Sequence, residues 1–361
     1  MNKRAVTLYD VAREAGVSYQ TVSRVINQSA HVSSETRQRV FQAIDQLHYV
    51  PNKVAQQLAG KQSRTIGLAT TSLALHAPSQ IAAAVKARAT AEHYNTVIAM
   101  VDTPQPQAIH DAIKQLLAQR VDGIIINIPL SDKLAAEARQ LAPQLPMLFN
   151  DVSPSCAEPH VIFDPTLGSQ LTIDRLVALG HREIILLTGP QDSISATLRA
   201  KSAQAQLRSH QLEPVLTVAG DWSAKSGFDA MTFAMMQRHS FTAVVVGNDQ
   251  MALGALRALT EAGFSVPNEI SVTGYDDTSD SAFFTPPLTT VQQDFSLLGH
   301  SSVEQLLTLM AGGAAYNRIL PVSFIERDTI ASVTQNNTLS VQQLARQLKK
   351  VSIQLDQLSG G

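Results

Sequence analysis

Leu8-Tyr-Asp-Val-Ala-Arg-Glu-Ala-Gly-Val-Ser-Tyr-Gln-Thr-Val-Ser-Arg-Val-Ile-Asn27 is the stretch that decides the amino-terminal fold. Two short helices, about 8–15 and 19–27, flank Gly16-Val17-Ser18, a turn in which glycine supplies backbone freedom and Val17 faces inward. Thr7 and Ser18 are N-cap candidates, and Ser33 opens a third helix over 33–47. Leu8, Val11, Ala12, Val17, Val22, Val25, Val40, Ile44 and Leu47 recur at helical spacing and supply a small core. The same spacing leaves Tyr19, Gln20 and Arg24 on the outer face of the second helix, the arrangement of a helix-turn-helix that enters a major groove. Arginine pairs with guanine and glutamine with adenine, while Ser18, Thr21, Ser23 and Asn27 can hold phosphates. A merely solvated helix in a small bundle would not account for the charge that accompanies this spacing.

That charge is uneven. Residues 1–62 hold eight basic against four acidic side chains, a net of +4, whereas the rest of the chain carries 20 against 26, a net of −6. The asymmetry points to an amino-terminal nucleic-acid surface on a body that does not bind the polyanion. With 361 residues, 44% hydrophobic and 16% charged, the chain is expected to be globular and to hold more than one domain. Cys156 is the only cysteine, so no intrachain disulfide can form. No basic-then-apolar leader and no membrane-length apolar run is read, so a cytosolic setting without membrane contact is expected.

Beyond Tyr49-Val50-Pro51-Asn52 the segment 52–60 can form one helix, too short to be stable alone. It is either a plain linker or a helix that folds against a partner, with Leu58 as an apolar wedge for a minor groove and Lys61 near phosphate. From residue 64 strands alternate with helices. Strands are predicted at 65–70, 97–101, 123–127, 146–149, 184–188, 214–218, 243–247 and 270–274, and helices near 79–92, 105–119, 132–142, 165–179, 196–209, 223–238, 249–261 and 295–310. Such alternation calls for parallel sheets covered on both faces, here two in succession, divided near 161–164 where a new helix opens. Late strands around 288–291 and 319–325 cross back and leave a cleft between the sheets. The predicted division is a headpiece at 1–50, a hinge at 51–62, one sensor half at 63–163 with 292–322, a second at 164–291 with 323–331, a linker at 332–339 and a helix at 340–358. Leu344, Leu348, Val351, Leu355 and Leu358 give that last helix a short heptad stripe for oligomerisation.

Polar residues gather just past the predicted strand ends: Asp102, Asn127, Asp151, Ser193, Ser195, Asn248, Asp249, Gln250, Asp276 and Asp277. Ligands of open α/β sheets bind there, and Arg199, Trp222 and Phe295 complete a cleft suited to a hydroxyl-rich molecule with one apolar face. Each residue alone is equally an ordinary turn or cap residue. His76 and Asp280 can form an ion pair. Catalysis lacks support: there is no Gly-x-Gly-x-x-Gly after the first strand, no Walker sequence, no nucleophile elbow and no metal-spaced histidine pair, so neither an enzyme nor a cofactor is expected.

Val17-Ser-Tyr-Gln-Thr-Val-Ser-Arg24, Val54-Ala-Gln-Gln-Leu-Ala-Gly-Lys61, Ser72-Leu-Ala-Leu-His-Ala-Pro-Ser-Gln-Ile81, Asn248-Asp-Gln-Met-Ala-Leu-Gly-Ala255 and Gly274-Tyr-Asp-Asp-Thr278 together resemble the bacterial LacI/GalR repressor family, over essentially the full length. The resemblance implies a periplasmic-binding-protein-like sensor behind an all-α headpiece, and operator DNA contact by Thr7, Ser18, Tyr19, Gln20, Thr21, Ser23, Arg24, Asn27, Asn52, Ala55, Gln56 and Leu58. It implies that a galactoside-type inducer is held by Leu75, Ala77, Pro78, Ile81, Asn127, Asp151, Ser193, Arg199, Trp222, Asn248, Asp276 and Phe295, with His76 and Asp280 allosteric. It further implies control of lactose-utilisation genes by a homodimer that assembles to a homotetramer through the tail helix. One position departs: Thr103 stands at the end of the second sensor strand where the resembled repressors carry arginine, so the cleft wall loses a charged donor. A purine-sensing or corepressor-dependent regulator, an exported sugar carrier and a sugar-processing enzyme are the competing readings. The headpiece argues against export, and turnover of a bound galactoside would mark the enzyme.

Overall fold

The computed structural model describes residues 6–26, 32–49, 63–103, 105–314 and 316–333. It divides into two compact units, Met1–Ser63 and Arg64–Gly361. Asn27, the hinge residues Asn52, Ala55, Gln56 and Leu58, and the tail residues Leu344, Leu348, Val351, Leu355 and Leu358 lie outside the described residues.

The first unit holds helices α1 (Leu8–Glu14), α2 (Tyr19–Ile26) and α3 (Ser34–Gln46). Thr7 caps α1 together with Asp10, whose carboxylate accepts from the Thr7 backbone N–H at 2.9 Å and from its hydroxyl at 2.6 Å. Ser18 Oγ accepts from the Thr21 N–H at 3.1 Å, and Ser33 Oγ from the Thr36 N–H at 3.3 Å. Gly16 takes φ +63 in the turn, a region glycine enters without steric cost. Val11, Val22, Val25 and Val40 are fully buried in a core closed by Ala12, Ala15, Ala43 and Tyr49.

The second unit contains two four-stranded parallel sheets. The first has the order β2 (Asn95–Met100), β1 (Thr65–Thr70), β3 (Gly123–Asn127), β4 (Met147–Phe149). Helices α4 (His76–Ala91), α5 (Pro106–Ala118) and α6 (Asp132–Gln140) connect these strands in turn. Ile113, Leu116, Ile124 and Ile126 fill one face of this sheet, and Leu68, Val85, Ile125 and Leu306 the other. The second sheet has the order β7 (Leu216–Ala219), β6 (Ile184–Thr188), β8 (Ala243–Val246), β9 (Ser271–Thr273). Around it lie α7 (Leu167–Ala178), α8 (Ile194–Ser209), α9 (Ala224–Met236) and α10 (Asp249–Glu261). The near-continuous apolar strands, such as Ile184-Ile-Leu-Leu187, are those of sheets buried on both faces.

Most boundaries shift by one or two residues, and three differences from the sequence reading are larger. Helix α4 begins at His76 rather than 79, because Pro78 falls in the first turn, where no backbone donor is needed. The segment read as the opening of a helix near 161–164 is a strand, β5 (Val161–Phe163), and the helix starts only at Leu167. The single late strand expected over 319–325 is two: β11 (Arg318–Leu320) pairs in parallel with β5, and β12 (Ser323–Ile325) pairs antiparallel with β10 (Thr290–Gln292). Pro321, which has no donor for a ladder, stands between them. Between β10 and β11 runs α11 (Phe295–Met310), packed on the first sheet with α4.

Candidate nucleic-acid surface and ligand cleft

On the headpiece, burial sorts the second helix as its spacing predicted. Val22 and Val25 are fully buried, whereas Ser18, Tyr19, Gln20 and Arg24 are exposed and Thr7, Thr21 and Ser23 half-buried. The Tyr19 ring stacks on Tyr9 with centroids 4.8 Å apart and planes 22° from parallel, which fixes its direction at the start of α2. The face thus carries a glutamine and hydroxyl groups at the amino-terminal end of α2 and an arginine in its last turn, the chemistry that reads base edges and grips phosphates.

In the second unit the carboxyl ends of the strands border a cleft of about 370 Å³. All twelve residues that the resemblance implied for sugar contact line it, from Leu75, Ala77, Pro78, Ile81 and Asn127 through Asp151, Ser193 and Arg199 to Trp222, Asn248, Asp276 and Phe295. His76 and Thr103 line it as well, and Asp280 does not. Leu75, Ala77, Pro78 and Ile81 come from the start of α4 and form an apolar wall with Phe295, whose ring meets Phe163 edge-on at 5.8 Å and His76 at 5.9 Å.

Arg199, on α8, is the only arginine or lysine of the lining, facing five aspartates. Its Nη1 donates to the Gly247 carbonyl at 3.0 Å and lies 3.5 Å from Asp276 Oδ1, while Nη2 donates to Gln293 Oε1 at 2.9 Å. The guanidinium sits 3.9 Å above the Tyr275 ring and 5.8 Å from Trp222. A guanidinium has five N–H groups, so this frame orients Arg199 and still leaves donors for hydroxyl oxygens in the cleft.

Asp276 is 4% exposed, holds φ 111 and has an Oδ1 without a hydrogen-bond partner. Burial pushes its carboxyl up to about 7, with Arg199 opposing and Asp249 adding to the rise. Asp151 is likewise raised by burial to about 6, against the pull of Arg199 and a hydrogen bond from Ser195. Carboxyl groups poised near neutrality can donate to or accept from a sugar hydroxyl. The strained backbone at Asp276 is held by its N–H to the Val291 carbonyl at 2.7 Å.

Several lining residues also serve the frame. Asn248 caps α10, accepting from the Met251 N–H at 2.8 Å and donating to the Trp222 carbonyl at 3.0 Å. Trp222, at φ 76, lays its ring against Gly189, where any Cβ would stand 2.2 Å from the indole. Ser193 caps α8 through the Ala196 N–H at 3.3 Å and meets Ser195 at 3.0 Å. Asn127 donates to Thr70 Oγ1 at 3.2 Å. Beneath them Asp249, fully buried, accepts from the Thr278 N–H at 2.9 Å and from the Ser281 and Thr290 hydroxyls at 2.6 Å each. Its carboxyl is raised to about 6 by burial, and a side chain at Gly274 would stand 2.1 Å from Asp249 Oδ1.

The ion pair read between His76 and Asp280 is not formed. No contact within ion-pair distance joins them, and burial lowers the His76 ring while Asp280 only opposes that shift. Among the described residues no group of three or more histidine, cysteine, aspartate or glutamate side chains is placed to hold a metal ion, and no helix is long and apolar enough to cross a membrane.

Comparison with known proteins agrees with both surfaces. Residues 7–52 match the model described as bacterial regulatory proteins, lacI family, and residues 173–330 a periplasmic binding protein-like domain. The lactose operon repressor of Escherichia coli (strain K12) is 50% identical over 360 residues, 99% of each chain. This chain belongs to the LacI family. A second relative, the lactose operon repressor of Klebsiella pneumoniae, is 44% identical over 91% of this chain and 93% of its own. A crystal structure of the lac repressor dimer bound to operator and the anti-inducer ONPF aligns with a TM-score of 0.86 at 51% identity, over 91% of this chain and all of that one.

For a LacI-family chain, the residues that sequence reasoning missed are instructive. Tyr275 and Gln293 hold Arg199, yet neither had a signal of its own, because an aromatic ring and an amide at strand ends read as core and loop. The surplus of acids around a single arginine was the available hint.

Proposed function

We propose that the chain is a sequence-specific transcriptional repressor of lactose-utilisation genes, released from its operator by a galactoside-type sugar. One observation carries the proposal: a single chain joins a helix-turn-helix with an outward Tyr19, Gln20 and Arg24 to a unit whose 370 Å³ cleft gathers polar groups, one framed guanidinium and an apolar wall. Tyr19, Gln20 and Arg24 read bases; Thr7, Ser18, Thr21, Ser23 and Asn27 hold phosphates; Leu58 enters the minor groove from the hinge with Asn52, Ala55 and Gln56 beside it. In the cleft Asp151, Arg199, Asn248 and Asp276 take hydroxyls, and Trp222 and Phe295 take the apolar face of the ring. The lactose operon repressors at 50% and 44% identity, and the operator-bound relative, support this reading.

Release requires that the sugar prefer one arrangement of the protein over the one that holds operator, since equal affinity shifts nothing. The chain acts without catalysis or cofactor, as a cytoplasmic, nucleoid-associated homodimer that becomes a tetramer through Leu344, Leu348, Val351, Leu355 and Leu358. The two sensor halves, 63–163 with 292–322 and 164–291 with 323–331, are the bodies that move. Titration of operator at fixed salt, with a thiogalactoside and with the matching glucoside, tests the proposal. Operator affinity falls about 100-fold with the galactoside, at the upper end of ordinary coupling, and little with the glucoside. Unchanged affinity at saturating galactoside overturns the inducer assignment.

A further inference from the structure

The first turn of α4 has an unusual supply of partners. Leu75, its N-cap, offers no side-chain acceptor, and Pro78 has no N–H. Ser79 N–H turns back to the Leu75 carbonyl at 3.3 Å, which leaves the His76 N–H to find an acceptor elsewhere. It donates to Gln250 Oε1 at 3.1 Å, 174 positions away in sequence, from the half of the sensor built on the second sheet. Gln250 stands in the first turn of α10, directly after Asn248, which holds Trp222, and Asp249, which ties down Thr278, Ser281 and Thr290. The bond therefore links the start of the apolar wall to a cross-braced point of the opposite half, between two residues that both line the cleft.

We propose that Gln250 is a positioning residue which joins the two halves of the sensor through the His76 backbone amide, so that its hydrogen bond exists in one arrangement of the halves and not in the other. This rests on the reading of the chain as a sugar-released repressor. A shift of about 1 Å between the halves takes a bond of this length out of range. The donor belongs to a half-buried helix end, where a lost protein acceptor is only partly replaced by water, so the arrangement that keeps the bond is favoured before any sugar arrives. Gln250 acts on the balance between arrangements, whereas a residue that only touches sugar changes nothing in its absence.

The experiment reads the amide itself and then its consequence, in the full chain. Hydrogen exchange at His76 becomes roughly tenfold faster in Gln250→Ala, the worth of one hydrogen bond, while Ser79, bonded within its own helix, exchanges as before. Operator affinity without sugar is then measured for Gln250→Ala, His76→Pro and the pair. Proline removes the donor and is accepted at the first helical position after Leu75, whose φ −84 and ψ 147 suit a residue preceding proline. Each single change shifts operator affinity, and the double variant shifts no further than the larger single one. His76→Ala keeps the N–H, so its effect adds to that of Gln250→Ala. Unchanged exchange at His76, or additive effects in the proline pair, overturns the bridge. If the unmodified chain ignores both operator and sugar, the functional reading falls while the exchange measurement still decides the bond.

Discussion

The headpiece and the cleft reach their chemistry by opposite routes. In the headpiece the interior is apolar and the working groups stand outside, with Val22 and Val25 fully buried and Gln20 and Arg24 in solvent. In the sensor the working groups are themselves interior: Asp276 is 4% exposed and Asn248 5%. Polar groups taken out of water must be paired or they become costly, so the cleft needs a supporting frame that the headpiece does without. A change to the reading face should cost DNA affinity alone, whereas a change in the cleft should cost stability and ligand response together.

Arg199→Ala tests that contrast hardest. It removes the only lysine or arginine of the lining and leaves Asp276 and Asp151 without their opposing charge. Denaturant unfolding should show a loss of about 3 kcal/mol, the scale of breaking a buried pair from one side, and the sugar response should vanish. A stable variant would mean that the cleft is no more interdependent than the headpiece.

Arg24→Ala should cost about 1–3 kcal/mol on the specific operator, with a much smaller loss on random DNA and an unaltered unfolding midpoint. Equal weakening on both DNAs would reduce Arg24 to a phosphate contact. Thr7→Ala gives the headpiece its own structural test. Loss of the Thr7 hydroxyl bond to Asp10, with the backbone bond kept, should lower headpiece stability by about 1 kcal/mol, read by thermal melting, with no effect on sugar binding.

The last test is one of acidity. The Asp276 carboxyl is pushed up to about 7 by burial, so between the ordinary carboxylate range and about 7 the folded protein binds more protons than the unfolded chain. Stability from this group is therefore lost as pH rises through that window. Melting temperatures of the unaltered chain and of Asp276→Asn should diverge, the unaltered chain losing ground to the variant from pH 5 to pH 8. Parallel curves would show that Asp276 titrates as an ordinary carboxylate.

The same contrast explains how much could be read from residues alone. The headpiece follows from spacing, because helical period and burial are one signal: apolar residues recur where the core is, and what remains is the reading face. Strand–helix alternation likewise gives two parallel sheets, and polar strand ends give the place of the cleft. The bonds within it do not follow. Nothing local ties Arg199 to Gln293 or Asp249 to Thr290, since those partners meet only through the fold. His76 and Asp280 failed as a pair for the same reason, and β5 was missed because its partner β11 lies beyond residue 317.

That pairing bears on how the chain is made. When a ribosome has finished the first sheet and β5, the edge of β5 that belongs to β11 is open, and α11, which covers one face of the sheet, does not yet exist. The second sheet must emerge and fold while the first waits with apolar surface uncovered. Only after synthesis passes Leu320 can the earlier half close. The interval is an opening for chaperones and for aggregation, and a nonsense mutation ahead of β11 damages the half that was translated first.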